Sequence, residues 1–302
     1  MTKTLEREAT RADCFLCGGR SKKARYTSPT FSVRECLECG LAFSDLLPSQ
    51  QSIRELYQDE YFEAWRLADE SSLPVLRRMK HATFNRYFDR LERLMPDVMP
   101  PAKVLDVGCA AGFLLEVAKE RGYEPYGIEL SRLAAAMAEE VAGQGRVFCG
   151  RLEDVDWPPE TFDVVFLCDL LEHLPDPLSA LAIVRRLIKP GGVLFATTPD
   201  IGSPSARILG KYWNNLREEH LFYLDGKTAG PLLRRAGFEL RAIEAANKVM
   251  NVKYVADQLA VYRRPILTPL LRLIGYLPTW VQTRNFRLPS GDMTLVAIRA
   301  GS

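Results

Sequence analysis

From residue 103 onward, short apolar runs alternate with amphipathic segments, and this alternation constrains the fold more than any other feature. "KVLDV", "EPYGIEL", "RVFCG", "FDVVFLCD" and "GVLFATTP" read as strands. "GFLLEVAKERG", "SRLAAAMAEEVAG" and "PLSALAIVRRLIKPGG" carry apolar residues at three- and four-residue spacings and read as helices. Gly122 closes the first helix, Ser131 is placed to cap the second, and Pro190 with its glycines stops the third. Strands joined through helices pair in parallel and need helices on both faces, so the pattern predicts an α/β doubly wound sheet. A helix over 227–236, a strand at "FELRAIEA" and a final strand at "MTLVAIRA" complete it.

The upstream third reads differently. Residues 1–45 carry four of the seven cysteines. Residues 46–100 read as a helical linker or lid, with "SIRELYQDEYFEAW" and "RRMKHATFNRYFDRLERLM" helical and "MPDVMPP" breaking the pattern. The α/β domain occupies 101–302, with insertions at about 200–225 and 247–290. Lys and Arg number 40 against 38 Asp and Glu, so the overall charge argues against a polyanionic partner such as nucleic acid. The first residues lack the apolar core of a secretory signal, and no apolar run reaches the roughly 20 residues that span a bilayer, so a soluble cytoplasmic protein is expected.

The turn after the first strand of the sheet, "VLDVGCAAGF", narrows the ligand. A dinucleotide fingerprint needs G-x-G-x-x-G, and Gly108-Cys109-Ala110-Ala111-Gly112 does not supply it. Instead Asp106 precedes the first glycine by two residues, and Glu129 ends the next strand, where an acid meets a ribose hydroxyl pair in such sheets. Small turn residues let the backbone approach the ligand closely. The combination points to a nucleoside with an amino-acid tail rather than a pyrophosphate.

"VLDVGCAAG", "GIELS", "GRLEDV", "FDVVFLCDLLEHLPDP" and "LIKPGGVLFATTPD" follow in an order that resembles the class I S-adenosylmethionine-dependent methyltransferases, strongly over 103–245 and by topology to 299. The resemblance implies a Rossmann-like seven-stranded sheet with its last strand antiparallel. It also implies that Asp106, Gly108, Cys109, Ala110 and Gly112 shape the methionine end of the cofactor pocket. Glu129 and Leu130 would then meet the ribose, Leu152 and Glu153 the adenine, and Asp169 and Leu170 the sulfonium and amino group. Ala110 stands where many relatives have glycine, and Arg151 where they often have an acid.

"CFLCGG" and "CLECG" are two C-x-x-C-G turns with eighteen residues between the pairs, a spacing typical of zinc sites. Cys14, Cys17, Cys36 and Cys39 would saturate a tetrahedral Zn2+ and leave no position for water, which makes the metal structural. The basic run "RSKKARY" between them reads as a solvated loop; the competing reading is RNA recognition by an RNA methyltransferase. This module, followed by "LYQDEYF" and the methyltransferase core, resembles sugar- and polysaccharide-associated methyltransferases, in which Tyr57, Tyr61 and Phe62 would help close the site. The acceptor expected from that resemblance is a small or lipid-linked sugar or polysaccharide precursor. O-methylation of a quinone-like or secondary metabolite is the alternative within the class, and a non-catalytic cofactor-binding scaffold the alternative outside it.

Methylating a hydroxyl or carbon acid requires a base. Of the three histidines, His81 reads as structural. His173 lies in "LEHLPDP" beside the cofactor, and His220 in "NNLREEHLFYLD", at the ligand-binding edge of the sheet. The sugar-methyltransferase resemblance ranks His220 first, with Glu219 orienting its imidazole. Residues 261–281, "VYRRPILTPLLRLIGYLPTWV", are too short and proline-broken to span a membrane. Tyr276, Trp280 and the flanking arginines make the stretch a candidate for peripheral membrane contact, with acceptor cover or a subunit contact as the competing reading.

Overall fold

The computed structural model describes residues 7–28, 31–44, 46–49, 73–261 and 276–301. In the N-terminal module, β1 (Arg7–Thr10) pairs antiparallel with a strand, β5, at Leu46–Pro48. Between them β2 (Lys22–Thr27), β3 (Ser32–Cys36) and β4 (Ala42–Ser44) form an antiparallel meander. The basic run expected as a loop is largely β2, an edge strand. Lys23 and Arg25 there pair with Glu35 of β3 at 3.0 Å each. An edge strand with charged, exposed side chains resists further pairing, which is why the composition resembles a loop.

Within the linker, α1 (Leu73–Leu94) buries Leu76, Met79, Thr83, Tyr87, Phe88 and Leu91 on one face. Phe88 packs on Phe166 and Tyr87 on Phe195 of the central sheet, with ring centroids 5.2 and 5.4 Å apart. Truncating a fully buried ring such as Phe88 typically costs about 3–5 kcal/mol, so this contact holds the helix to the domain. Arg121 reinforces the seam through Asp89 at 2.5 Å and Glu92 at 3.0 Å. The first linker segment, with Tyr57, Tyr61 and Phe62, lies outside the described residues.

The domain then runs β6 (Lys103–Val107), α2 (Phe113–Glu120), β7 (Glu124–Glu129), α3 (Arg132–Ala142), β8 (Val147–Cys149), β9 (Phe162–Cys168), α4 (Pro177–Leu187), β10 (Ile188–Pro199), α5 (Pro204–Leu209), β11 (Phe222–Tyr223), α6 (Ala229–Arg235), β12 (Phe238–Asn251), α7 (Val252–Val261), α8 (Thr279–Gln282) and β13 (Asn285–Arg299). Seven strands form one sheet in the order β12-β13-β10-β9-β6-β7-β8. β13 is antiparallel to both its neighbours, and the remaining pairs are parallel. This matches the Rossmann-like seven-stranded sheet with a reversed last strand that the resemblance implies. Ser131 caps α3, accepting from the Ala134 amide.

Three boundaries differ from expectation. α4 ends at Leu187 and Ile188 already pairs with Phe162, so Lys189–Gly192 is a bulge within β10 rather than a helix stop. A Cβ at Gly192 would meet the Asp163 carbonyl oxygen at 2.9 Å, so glycine is required there. β12 and β13 also continue past the sheet as a two-strand ribbon, with Asn247–Asn251 pairing to Asn285–Pro289. Asn, Lys and Arg interrupt the apolar alternation there, so the sequence reads as an insertion. Finally, Cys149, expected from the sequence as a buried cysteine at the end or edge of a strand, is exposed at the end of β8.

β11 leaves the main domain. It pairs antiparallel with β4 and becomes the fourth strand of the N-terminal meander, Phe222 opposite Phe43 and Tyr223 opposite Ala42.

Candidate functional site

The C-terminal ends of β6, β7, β9 and β10 converge on one edge of the sheet, where ligands bind in parallel α/β folds. The turn after β6 places Gly108 (φ +76°), Ala110 (φ +47°) and Gly112 (φ +81°) in the left-handed region. A Cβ at Gly112 would lie 2.9 Å from the Ala138 Cα, so this glycine lets α2 approach α3. Cys109 points its thiol into the core beside Gly127, leaving its backbone toward the turn. Leu170 covers Gly108 from across the crevice.

Glu129 is buried, and its two carboxylate oxygens accept from the Ala110 amide at 2.9 Å and the Ser131 amide at 2.8 Å, with Leu130 between its strand and that cap. Burial raises its pKa against these amides. Each oxygen keeps a second lone pair for a ribose hydroxyl. Asp106 is buried, and its Oδ1 has no hydrogen-bond partner among the described residues. Burial and the charge of Glu129 push its pKa well up, with Lys80 opposing. A buried carboxylate oxygen without a donor beside a glycine turn fits an incoming ammonium group, such as that of a methionine tail. Leu152 is buried near the third strand, whereas Glu153 turns outward and pairs with Arg151 at 3.2 Å. The structure therefore does not bring Glu153 into the pocket.

Asp169, in a left-handed conformation (φ +55°), links this half to the other. Its Oδ1 accepts from the Thr197 hydroxyl at 2.8 Å, and its Oδ2 pairs with Lys248 at 2.8 Å. Burial works to raise its pKa, but Lys248 and Lys80 hold it below the usual range. Lys248, on the ribbon extension of β12, also pairs with buried Asp292 at 2.8 Å. Asp292 in turn accepts from the Asn215 side chain at 2.9 Å.

That network ends at His220. Its Nδ1 lies 2.8 Å from the Asn215 carbonyl oxygen. A carbonyl only accepts, so Nδ1 carries the proton and Nε2 keeps a lone pair. His220 is buried, and burial together with His173 and Arg217 holds its pKa well down. His173 packs edge-on against it at 4.8 Å and hydrogen-bonds the Glu219 backbone. Burial and Arg217 bring the His173 pKa down to about 4. Glu219 does not orient His220 as expected, because its carboxylate turns to Arg217 at 3.9 Å and a backbone carbonyl takes that role. The buried acid nearby is Glu172, which accepts from the Thr198 hydroxyl at 2.9 Å and whose pKa burial and Asp169 raise to about 8. The helix turn at 225–228 is held by Asp225, and His81 pairs with Glu120 on the surface.

In the N-terminal module, the sulfurs of Cys14, Cys17, Cys36 and Cys39 all lie within 4.8 Å of one another. Cys14–Cys39 and Cys17–Cys36 are each 3.6 Å apart. Four thiolates at about 2.3 Å from a tetrahedral zinc sit about 3.8 Å from one another, so the cluster fits such an ion. Gly18 and Gly40 take the left-handed conformation after each pair, and the Gly19 amide donates to the Cys17 sulfur at 3.4 Å.

Sequence reading missed Lys80, Glu172, Asn215, Lys248 and Asp292. For Lys248 the one available signal is a lysine amid the half-buried alternation of "NKVMN"; for Glu172 it is an acid enclosed by leucines in "LLEHL".

Comparison with known proteins agrees with this geometry. The family described as "Methyltransferase domain" matches residues 79–243, more than half of the chain. The ubiquinone biosynthesis O-methyltransferase of Chromobacterium violaceum is 31% identical over 173 residues, covering 53% of this chain and 75% of that protein. The enzyme of the same name from Idiomarina loihiensis is 39% identical over 101 residues, covering 32% of this chain, and the chain spans 42% of that relative's length. The magnesium protoporphyrin IX methyltransferase of Synechocystis, solved with bound S-adenosylhomocysteine, shares the fold at a TM-score of 0.54 and 14% identity, over 83% of this chain and all of that one. The sheet order, the glycine turn with its paired acids and the family match lead to one conclusion: the chain belongs to the class I S-adenosylmethionine-dependent methyltransferases.

Proposed function

We propose that the chain O-methylates a quinone-like phenol, with His220 as the general base. The observation that carries this reading is the pairing of His220 Nδ1 with the Asn215 carbonyl in a buried setting. It leaves a neutral imidazole with Nε2 free to take a proton, and a weak one, because burial lowers its pKa. A weak base suits a phenol, whose pKa is about 10, better than the less acidic hydroxyl of a sugar. The two sequence relatives above are named for ubiquinone biosynthesis. The sugar-precursor reading therefore gives way to the quinone-like one.

The residues of the turn fit S-adenosylmethionine. Asp106 would receive its ammonium group, Glu129 its ribose hydroxyls, and Asp169 and Leu170 would border the sulfur. The cofactor, when bound, supplies an activated methyl group to the acceptor oxygen. His220 Nε2 receives the phenol proton, and His173 positions the base by holding the Glu219 backbone. Glu172, carrying its own proton at neutral pH, keeps a second negative charge away from Asp169. Cys14, Cys17, Cys36 and Cys39 would hold a structural zinc with no vacant position for chemistry. For a lipid-linked acceptor, Tyr276 and Trp280, 86% and 68% exposed, are the described part of the 261–281 stretch available to an anionic bilayer, and residues 262–275 lie outside the described residues. Sedimentation with anionic liposomes tests that contact: wild type pellets, and recovery of all protein in the supernatant at low salt contradicts it.

The acceptor test is incubation with isotopically labelled S-adenosylmethionine and, separately, a catechol, a hydroxyquinol and a nucleotide-linked sugar, read by mass spectrometry. Label on a phenolic oxygen is the expected result. Label on the sugar alone overturns the reading.

A further inference from the structure

We propose that the four-cysteine module is a positioning element of the active site, whose bound metal holds in place the strand that directly follows His220. This rests on the reading of His220 as base and of the four cysteines as a zinc site.

The connections are direct. Cys36 ends β3 and its amide donates to the Leu41 carbonyl, so the second C-x-x-C turn closes the hairpin that leads into β4. β4 pairs with β11, and the Ser44 amide donates to the Leu221 carbonyl at 2.8 Å. The Leu221 amide donates to the Glu172 carbonyl at 2.8 Å. The residue after His220 is thus clamped between the module on one side and the Glu172–His173 turn on the other.

The first C-x-x-C turn reaches the same two segments. Phe15, inside "CFLC", packs edge-on against Phe222 at 5.2 Å. Arg11 stacks over Phe15 at 4.6 Å and donates to the Pro175 carbonyl, two residues beyond His173. The Leu16 carbonyl accepts from Arg235 of α6. Both turns therefore abut the walls of the base.

A module of this size has too little core to hold its own strands. Four sulfurs this close cannot all be ionised without a cation, and metal binding supplies the folding free energy of such units. Without the metal, β4 loses the turn that sets its register, and β11 loses its sheet partner among the described residues. The cofactor turn, built on β6, α2 and β7 and backed by α1 and α3, keeps its own support. The functional consequence is a split: metal loss removes the base's position and spares cofactor binding.

The chain has three histidines, so the imidazole NMR spectrum of the whole protein is readable residue by residue. Zinc is removed from the purified full chain with a strong chelator and metal content is measured. S-adenosylhomocysteine affinity by calorimetry and the imidazole spectrum are then compared with the loaded protein. The expected result is that His220 and His173 signals move, His81 stays, S-adenosylhomocysteine affinity is unchanged and turnover on a phenol falls at least a hundredfold, all restored by zinc. Phe15→Ala is expected to keep its zinc and its S-adenosylhomocysteine affinity while moving the His220 signal and lowering kcat. An unmoved His220 signal after stripping, loss of S-adenosylhomocysteine binding in parallel, or a purified protein that holds no zinc overturns the proposal. If the loaded protein methylates no phenol while the His220 signal still follows zinc, the acceptor reading falls and the positioning role stands.

Discussion

The two halves of the crevice are built in different ways. On the β6–β7 side, one continuous stretch from Asp106 to Ser131 supplies the glycine turn, both acids and the helix cap. Glu129 is fixed by amides only nineteen and two residues away in sequence. On the β9–β10 side, the proposed base His220 is held by groups from five distant places: the N-terminal hairpin, the turn at 171–173, the connection at 213–223, Lys248 and Asp292. The first half, proposed to bind the cofactor, works from local geometry. The second half, proposed to meet the acceptor, depends on long-range contacts.

That contrast sets the predictions. The largest effect belongs to the acceptor half. His220→Ala should lower kcat by about 10²–10⁴-fold, the usual contribution of a general base, while S-adenosylmethionine affinity stays constant by calorimetry. Equal loss of affinity would mean that the halves are not separable.

The next effect lies in the cofactor half. Glu129→Gln leaves one former carboxylate oxygen unable to accept from its amide and weakens the ribose contact. S-adenosylmethionine binding should fall by about 1.5–3 kcal/mol, the range for hydrogen bonds to a charged group. The His220 imidazole signal should not respond; a response would show coupling between the halves.

A smaller effect concerns pH. Glu172 sits near a pKa of about 8, against 4.5 for the free carboxyl. Its contribution to stability is whole below pH 4.5 and is lost as pH rises to about 8. Glu172→Gln removes that loss, so the variant's denaturation midpoint should gain on wild type across this window. His173 runs the other way: held down to about 4, it contributes stability above pH 6.5 that is lost as pH falls. A midpoint difference independent of pH would remove Glu172 from this role.

The smallest effect is at Ala110. A left-handed alanine costs about 1–2 kcal/mol, and part of that is offset by the lower chain entropy of alanine when unfolded. Ala110→Gly should therefore raise stability by about 1 kcal/mol or less in thermal unfolding.

How much was legible in the sequence follows the same division. The strands and helices of the sheet and the glycine turn could be read because each is encoded by local periodicity and spacing, whereas the reversed last strand came only from the family resemblance. The four cysteines were legible as a set for the same reason. Lys248 and Asp292 were not, because their meaning depends on a ribbon pairing that brings together residues 44 apart. The role of Glu219 came from the family resemblance, whereas here its carboxylate turns to Arg217 and the Asn215 carbonyl, which carries no side-chain signal at all, does the orienting. β11 was unreadable as a strand of the N-terminal module, since two residues have no periodicity and the partner lies some 180 residues upstream.

The central claim is that a neutral His220, protonated on Nδ1, presents Nε2 to the acceptor. The ring-nitrogen shifts of His220 in the zinc-loaded protein between pH 6 and 8 test it most directly. The account predicts a single neutral tautomer with the proton on Nδ1 across that range. An imidazolium at pH 7, or the proton on Nε2, would contradict it.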